Sequence, residues 1–313
     1  MNTNKTRPLI SIVTPVFNEE DSLLIYKDEV SRIFLSRDDL EFEFILIDDG
    51  STDRSWSIIK SICNENKFFK GIRLSRNFGS HTALSAGLQK CRGDAVAILA
   101  CDLQDPPEVV LQFVELWNKG FHVIWGKRNK RKDSLWKIVT SDLFKYLLRK
   151  FAIPANSKFT TGSFLLMDRK VVDWYNTFKE HNRITFAIVA WMGFTQEVVE
   201  YDRRERKIGK SGWTLLKMIK TFYDGIIGFS YMPIRLLSTM GILVSLFNVF
   251  FALYVMINWL VRDVKSGWTS MVLLISFLGG LQLLILGFIT EFLYRIYIET
   301  TNRPLYCILE ETK

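Results

Sequence analysis

The stretch Leu99-Ala100-Cys101-Asp102-Leu103-Gln104-Asp105-Pro106-Pro107 closes an apolar run that begins at Ala95, and it places acidic and amide side chains ahead of a Pro-Pro pair. An apolar run of about 4–8 residues bounded by turn signals is typical of a buried strand. Carboxylates at the carboxyl end of such a strand lie where open α/β sheets bind their ligands. Hard cations such as Mg²⁺ take oxygen ligands, usually one or two carboxylates together with substrate phosphates. The stretch therefore predicts a metal-assisted site for a diphosphate-bearing substrate, although the same residues taken alone would also suit a solvated helix start.

Similar apolar runs recur on both sides of this stretch and alternate with helical patterns. The predicted strands are Leu9–Val16, Phe42–Ile47, Gly71–Leu74, Ala95–Cys101, His122–Trp125, Phe164–Met167 and Glu197–Tyr201. Strands that alternate with helices predict an α/β fold with a mostly parallel sheet and helices on both faces. The first strand is not followed by a GxGxxG pattern, which weighs against a dinucleotide-binding oxidoreductase.

Acidic side chains follow three of these strands. The pairs are Glu19 with Glu20, Asp48 with Asp49, and Asp102 with Asp105. Because the carboxyl ends of parallel strands meet at one edge of a sheet, we expect the three loops to converge there. Three acidic strand ends favour a binding site over ordinary solvated loops.

The charge balance indicates an anionic partner. The 313 residues carry a formal net charge of +8, which suggests a polyanion or an anionic membrane surface. Two basic clusters lie at 127–132 and 203–210. The first contains no aromatic residue, which argues against nucleic acid; we interpret it as a phosphate-binding segment, the alternative being a solvated loop. The histidines and cysteines are scattered without metal-ligand spacing, so no zinc site is expected.

The composition changes after residue 210. Trp213–Phe229 has the amphipathic pattern of a helix at a membrane surface, the alternative being an ordinary surface helix of the domain. Leu236–Val261 and Trp268–Thr290 contain no charged residue, and each is long enough to span a hydrocarbon core of ~30 Å. These features divide the chain into an α/β domain at 1–210, amphipathic juxtamembrane helices at 211–232, and a transmembrane hairpin with a short tail at 233–313, with spans at 236–261 and 268–290.

Positive charge sets the predicted orientation. Lys and Arg residues are concentrated before the first span and after the second, so the positive-inside rule places the α/β domain and both termini in the cytosol. We therefore predict a multi-pass protein of the inner (plasma) membrane, with the lipid bilayer as a partner. Gly279, Gly280 and Gly287 in the second span suit close helix packing, within the chain or in a homo-oligomer.

Several motifs, taken in order, resemble one family. They are Pro15–Glu19, Asp48–Asp53, Asn77–Gly79, Asp102–Pro107, Thr161–Lys170 and Arg206–Ser211. Together they resemble glycosyltransferase family 2, and within it the polyprenyl-phosphate glycosyltransferases, such as bactoprenol glucosyltransferases and dolichyl-phosphate mannose synthases. The resemblance covers the whole chain, because two C-terminal spans after a Rossmann-like GT-A domain are the layout of the glucosyltransferases.

The resemblance implies inverting transfer of a hexose from a nucleotide sugar, with UDP-glucose favoured, to polyprenyl (undecaprenyl) phosphate at the cytosolic membrane face. It also implies a divalent metal, Mg²⁺ or Mn²⁺. The implied catalytic residues are Asp102, Arg128 and Arg206. The implied binding residues are Pro15, Asn18 and Glu19 for the nucleotide, Asp48 or Asp49 for the base or ribose, Asp102 and Gln104 for the metal, and Arg128, Arg206, Lys207 and Lys210 for phosphates.

Two positions depart from the family pattern. Ala100 stands where many relatives have the first acid of an Asp-x-Asp-x-Gln motif, which leaves the expected metal shell with one carboxylate fewer. Gly212 follows Ser211 where many relatives have Ser-Lys, and Lys210 lies one place before the serine. The first departure bears on metal affinity, and the second bears on which lysine meets phosphate.

Three other functions fit parts of the pattern. A mannose synthase using GDP-mannose would have the same fold, and the sequence does not show which nucleobase the sugar donor carries. A processive polysaccharide synthase usually has a Gln-x-x-Arg-Trp motif, which this sequence lacks. A non-catalytic, membrane-bound sugar-nucleotide binder is favoured only by Ala100.

Overall fold

The computed structural model describes residues 7–129, 157–158, 160, 163–181, 183–204 and 267–312, together with scattered positions between Thr239 and Val261. The chain divides into two compact units, one formed by Met1–Phe229 with Pro304–Lys313 and the other by Ser230–Arg303. The predicted amphipathic helices at 211–232 and the predicted site residues Arg206, Lys207 and Lys210 lie outside the described residues.

The described part of the first unit is built on a sheet of eight strands. The strands are β1 Leu9–Val16, β2 Glu41–Asp48, β3 Phe69–Leu74, β4 Ala95–Ile98, β5 Val123–Arg128, β6 Leu165–Asp168, β7 Gln196–Tyr201 and β8 Ile308–Glu311. Their spatial order is β7-β5-β6-β4-β1-β2-β3-β8; β6 and β8 run antiparallel to their neighbours, and the other pairs are parallel. The predicted mostly parallel α/β sheet is confirmed.

Helices cover both faces of this sheet. They are α1 Leu23–Phe34, α2 Ser55–Glu65, α3 Ser80–Lys90, α4 Val109–Asn118, α5 Arg169–Thr177 and α6 Thr185–Trp191. In β1, Ile10 and Ile12 pack in one core layer with α1, α2 and α4, whereas Val13 packs in the other with α3, α5 and α6. Because the central strands are buried on both faces, their sequences are nearly continuous apolar runs, interrupted by the buried polar residues Ser11, Thr14 and Glu43.

Strand β4 is shorter than the predicted Ala95–Cys101. Ala95–Ile98 pair with β1 and β6, and Leu99 donates one further backbone hydrogen bond to Val13. The chain then turns at Cys101, and Leu103 has a φ of +50°. This turn ends the strand and places the acidic motif on a loop at the carboxyl edge of the sheet.

Strand β8 follows the second predicted span and belongs to the first unit. It pairs with β3, with Glu310 opposite Arg73. Trp56 Nε1 donates to Glu310 Oε2 at 2.7 Å, and the backbone N–H of Gly71 donates to Thr312 Oγ1 at 2.8 Å. The sequence division groups this segment with the hairpin as a tail, since four residues are too few to predict a strand from pattern. In the structure it covers the edge of β3, which would otherwise present unpaired backbone groups.

Helix α7, Trp268–Thr300, lies in the second unit. Its Ser270–Thr300 part is the one helix among the described residues that is long and apolar enough to cross a membrane. Ile275 and Leu283 are exposed on it, which suits contact with lipid. The helix covers the predicted second span, 268–290. The positions described between 239 and 261 are also helical, and the rest of the predicted first span lies outside the described residues.

Candidate active site

The candidate site lies at the carboxyl edge of the sheet. The loops after β1, β2, β3, β4, β5 and β7 share this edge because those strands run parallel, and open α/β sheets bind ligands there. The topology brings all three predicted acidic pairs to this edge. Pro15, predicted to line the nucleotide, lies near the end of β1, opposite Ile47 of β2.

Side-chain hydrogen bonds join the loop after β1 to the loop after β2. Asn18 has a φ of +55°, and its Oδ1 accepts from the backbone N–H of Thr52 at 2.9 Å. The backbone N–H of Asn18 donates to Ser51 Oγ at 2.9 Å, and that of Glu19 donates to Ser55 Oγ at 2.9 Å. The predicted nucleotide-lining residues Asn18 and Glu19 therefore lie on a loop whose backbone is held in place before any ligand binds.

Asp48 and Asp49 are both engaged by groups of the protein. Asp48 is fully buried, and its Oδ2 lies 3.2 Å from Arg73 Nε. Asp49 accepts hydrogen bonds from the backbone N–H groups of Phe78 and Gly79 at 2.7 and 2.9 Å. Burial raises the pKa of the Asp49 carboxyl, and the Asp48 charge adds to the increase. These contacts hold the loops after β2 and β3 together.

Gly50 allows those two loops to approach each other. Its φ is +68°, and a Cβ at this position would lie 2.4 Å from the carbonyl carbon of Arg76. We expect Gly50→Ala to lower the free energy of unfolding by about 3 kcal/mol, because the positive φ and the backbone clash both oppose alanine. Thermal unfolding of the full chain in detergent, followed by circular dichroism, measures the change.

Gly120→Ala is the matched control for this prediction. Gly120 also has a positive φ, +94°, but nothing lies within 4 Å of its Cβ position. Only the backbone cost of about 1 kcal/mol therefore applies there. Equal losses of stability in the two variants would show that the close approach to Arg76 contributes nothing.

The loop after β4 carries the predicted metal ligands Asp102 and Gln104. The backbone N–H of Gln104 donates to Asp102 Oδ1 at 3.2 Å, which closes a tight turn around Leu103. Burial raises the pKa of the neighbouring Cys101 thiol well above its usual range, and the carboxylates of Glu19 and Asp102 add to the increase. Strands β1 and β4 pair in parallel, so the loops that follow them are neighbours.

The donor groups on this loop match the ligand chemistry of a hard divalent cation. Asp102 offers a carboxylate and Gln104 an amide oxygen, whereas Ala100 offers none. Among the residues that the structure describes, no group of three or more His, Cys, Asp or Glu side chains could hold a metal. Because Mg²⁺ sites often combine one or two carboxylates with substrate phosphates, the residues present fit a cation whose shell a diphosphate completes.

A buried carboxylate and two arginines lie beside the metal-ligand loop. Asp105 is buried and accepts a hydrogen bond from the Tyr201 hydroxyl at 2.6 Å. Arg128 Nη2 and Arg203 Nε each lie 3.7 Å from the same oxygen of Asp105. Burial, together with the nearby Asp105 charge, raises the pKa of the Tyr201 phenol, so Tyr201 stays protonated at neutral pH. Arg128, predicted to bind phosphate, is thus placed at this edge with a second arginine.

Sequence reasoning does not identify Tyr201 or pair Arg203 with Arg128. The pairing depends on β5 and β7, which lie side by side with Arg128 opposite Tyr201 although the two residues are 73 positions apart. The one sequence signal is the acidic residue Asp105 itself, since a carboxylate on this loop requires a partner if it is buried.

The mostly parallel α/β sheet is that of a GT-A-like domain, and its carboxyl edge carries an oxygen-donor loop and arginines. The chain matches the family model described as glycosyl transferase family 2 over residues 11–175. It belongs to glycosyl transferase family 2 and is a glycosyltransferase, which confirms the predicted family and enzyme class.

Relatives match nearly the full length of the chain. It is 38% identical over 302 residues to the uncharacterized glycosyltransferase YkcC of Bacillus subtilis (strain 168), covering 95% of this chain and 92% of the relative. It is 36% identical over 301 residues to the SfII prophage-derived bactoprenol glucosyl transferase of Shigella flexneri, covering 96% and 97%. Among solved structures, mannosyl-3-phosphoglycerate synthase from Rubrobacter xylanophilus aligns with a TM-score of 0.50 at 14% identity over 75% of each chain, a likeness of fold alone.

Proposed function

We propose that this protein transfers glucose from UDP-glucose to polyprenyl (undecaprenyl) phosphate at the cytosolic face of the membrane, with inversion at C1 of the sugar. The observation that carries the proposal is the meeting of the Asp102–Gln104 loop with Arg128 and Arg203 at one sheet edge. Oxygen donors for a cation beside guanidinium groups suit substrates that carry several phosphates. The full-length match to a protein named as a bactoprenol glucosyl transferase supports both the sugar and the acceptor.

The nucleotide would lie against the loops after β1 and β2. Pro15, Asn18 and Glu19 are the residues proposed to line it. Because the carboxylates of Asp48 and Asp49 are engaged by Arg73 and by backbone N–H groups, we propose that they shape the base and ribose pocket by holding its loops in place.

A divalent cation, Mg²⁺ or Mn²⁺, would be held by Asp102 and Gln104. When bound, it would neutralise charge on the diphosphate leaving group. Arg128 and Arg203 would bind phosphate oxygens from the other side of the loop, because guanidinium forks match phosphate geometry. Donors that are already oriented before the reaction stabilise developing charge without reorganisation.

The acceptor needs little activation by the protein. A phosphate monoester has a second pKa near ~6, so at neutral pH it is largely a dianion. One of its oxygens forms the new bond to C1, while the bond from C1 to the nucleoside diphosphate breaks and its electron pair leaves with the diphosphate. The main task of the site is then to position two phosphate-bearing substrates.

Membrane attachment is supported by α7 and β8 together. Strand β8 belongs to the sheet of the first unit, so a chain that crosses the bilayer at α7 must cross it a second time to rejoin that sheet. The chain between Arg204 and β8 would then cross the membrane an even number of times, which supports the proposed span at 236–261. The excess of Lys and Arg before the first span favours the cytosolic side.

A transfer assay tests the proposal. The purified full-length chain, in detergent with undecaprenyl phosphate and Mg²⁺ or Mn²⁺, is offered radiolabelled UDP-glucose and, separately, radiolabelled GDP-mannose. Label is expected in the organic phase from UDP-glucose only. Label from GDP-mannose only would show that the donor is GDP-mannose, as in a mannose synthase. Label from neither, with donor binding still measurable, would favour a non-catalytic sugar-nucleotide binder in which Ala100 marks the lost function.

A further inference from the structure

Asp105 is almost completely enclosed, as Asp48 and Asp49 are, whereas Asp102 on the same loop is partly exposed. Asp105 is 2% exposed, although it follows Asp102 by only three positions on the same loop. A buried carboxylate is costly unless charged or hydrogen-bonding groups surround it. The groups that surround Asp105 come from two other elements, the ends of β5 and β7.

Tyr201 connects these elements. It lies opposite Arg128 in the parallel β5–β7 register, and its carbonyl accepts from the backbone N–H of Asn129 at 2.9 Å. Its hydroxyl donates to Asp105 at 2.6 Å, and Arg128 Nε donates to that hydroxyl at 3.4 Å. The tyrosine therefore links the buried carboxylate to the backbone and side chain of β5.

Two guanidinium groups, of Arg128 and Arg203, face one carboxylate, and both side chains are partly exposed, at 24% and 33%. At 3.7 Å each guanidinium is held by charge attraction to Asp105, beyond the range of a hydrogen bond. Both guanidinium groups are therefore partly open to solvent beside the loop of Asp102 and Gln104.

We propose that Asp105, acting with Tyr201, is a positioning residue that keeps Arg128 and Arg203 side by side as a two-arginine binding site for a substrate phosphate. Without the carboxylate between them, the two like charges would repel each other and the pair would separate. The phosphate belongs either to the nucleotide donor or to the lipid acceptor, and both present the same chemistry to a guanidinium pair. The inference rests on the proposed function and adds to it the residues that orient the phosphate site.

Arg204, the residue after Arg203, has different ionic partners and serves as a comparison. Its guanidinium bonds both oxygens of Glu108 at 2.9 Å, and it lies 3.2 Å from Glu29. Arg32 also lies 3.1 Å from Glu29 and 3.9 Å from Glu108, so this group holds two arginines and two carboxylates. Glu108→Gln is therefore a matched control: it removes a carboxylate from a nearby arginine on the same side of the sheet without touching Asp105.

The test compares Asp105→Asn, Tyr201→Phe and Glu108→Gln in the full chain. For each variant, kcat and KM are measured in a series of UDP-glucose concentrations and in a series of polyprenyl phosphate concentrations, and the Tm is recorded. We expect Asp105→Asn to raise one KM at least about tenfold, a loss of about 1.4 kcal/mol in binding. Tyr201→Phe should raise the same KM by a smaller factor, because the ion pairs remain, and Glu108→Gln should leave both KM values within twofold.

The KM that changes identifies the phosphate. A higher KM for UDP-glucose assigns the arginine pair to the donor, and a higher KM for polyprenyl phosphate assigns it to the acceptor. Unchanged KM values in Asp105→Asn, or a fall in kcat that follows the Tm alone, would overturn the proposal and leave Asp105 a purely structural residue. If Asp105→Asn does not fold, the same criteria apply to Tyr201→Phe.

Binding measurements separate this inference from the proposed function. If the wild-type chain transfers no glucose, the proposed function fails, and calorimetric titration of UDP and of a short-chain polyprenyl phosphate into the same variants still tests the arginine pair. Weaker binding of either compound by Asp105→Asn, with Glu108→Gln unchanged, supports the pair. Equal binding of both compounds by all the variants overturns it.

Discussion

Replacing Asp102 by asparagine is expected to lower the rate of the proposed glucosyl transfer by about 10³-fold, the loss typical of removing one preorganised electrostatic group from an active site. Asp102 and Gln104 are the oxygen donors proposed for the cation, and Ala100 leaves Asp102 as the single carboxylate of that motif. The fold should survive, because the contact of Asp102 Oδ1 with the backbone N–H of Gln104 can be kept by an asparagine oxygen. Label transferred from UDP-glucose to the organic phase measures the rate.

A surface aspartate gives the control for this prediction. Asp28 on α1 is 73% exposed at its side chain, where it pairs with Lys27, and Asp28→Asn should transfer at the wild-type rate. If Asp102 acts through the metal, a higher concentration of Mn²⁺ should restore part of the activity of Asp102→Asn. Metal-dependent transfer by Asp102→Asn within tenfold of wild type would remove Asp102 from the metal site.

Deleting the ten C-terminal residues, Pro304–Lys313, is expected to destabilise the first unit by about 4 kcal/mol, at about 1 kcal/mol for each hydrogen bond lost. The bonds lost include Trp56 to Glu310 and the two between Gly71 and Thr312. The deletion also exposes the edge of β3, which favours association with other chains. A fall in Tm of roughly 8–16 °C should follow, measured by thermal unfolding in detergent.

Glu311→Gln is the matched control for the deletion. It keeps β8 and removes only the ion pair between Lys90 and Glu311, whose side chains are 44% and 41% exposed. Such an exposed pair contributes less than about 1 kcal/mol, so the Tm should change little. A deletion variant with the Tm of the full chain would show that β8 adds nothing to the stability of the sheet.

The sequence is a good guide to the elements of this fold and a poorer guide to where some of them end. Apolar runs predict the central strands because those strands are buried on both faces, and the motif order identifies the family. The predicted strand Ala95–Cys101 nevertheless ends at Ile98 in the structure. Local hydrophobicity continues through Leu99 and Cys101, but the positive φ of Leu103 and the turn before it take the chain away from β6.

The amino-acid sequence alone determines the α/β class, the acidic carboxyl edge and the family, because periodicity and motif order are local properties of the chain. It does not determine that Tyr201 bonds Asp105 across 96 positions, or that β8 completes the sheet after helix α7. Those contacts depend on which strands become neighbours, and strand order is chosen by the packing of the whole unit. The arrangement of Arg128 and Arg203 about one buried carboxylate is therefore a property of the folded protein.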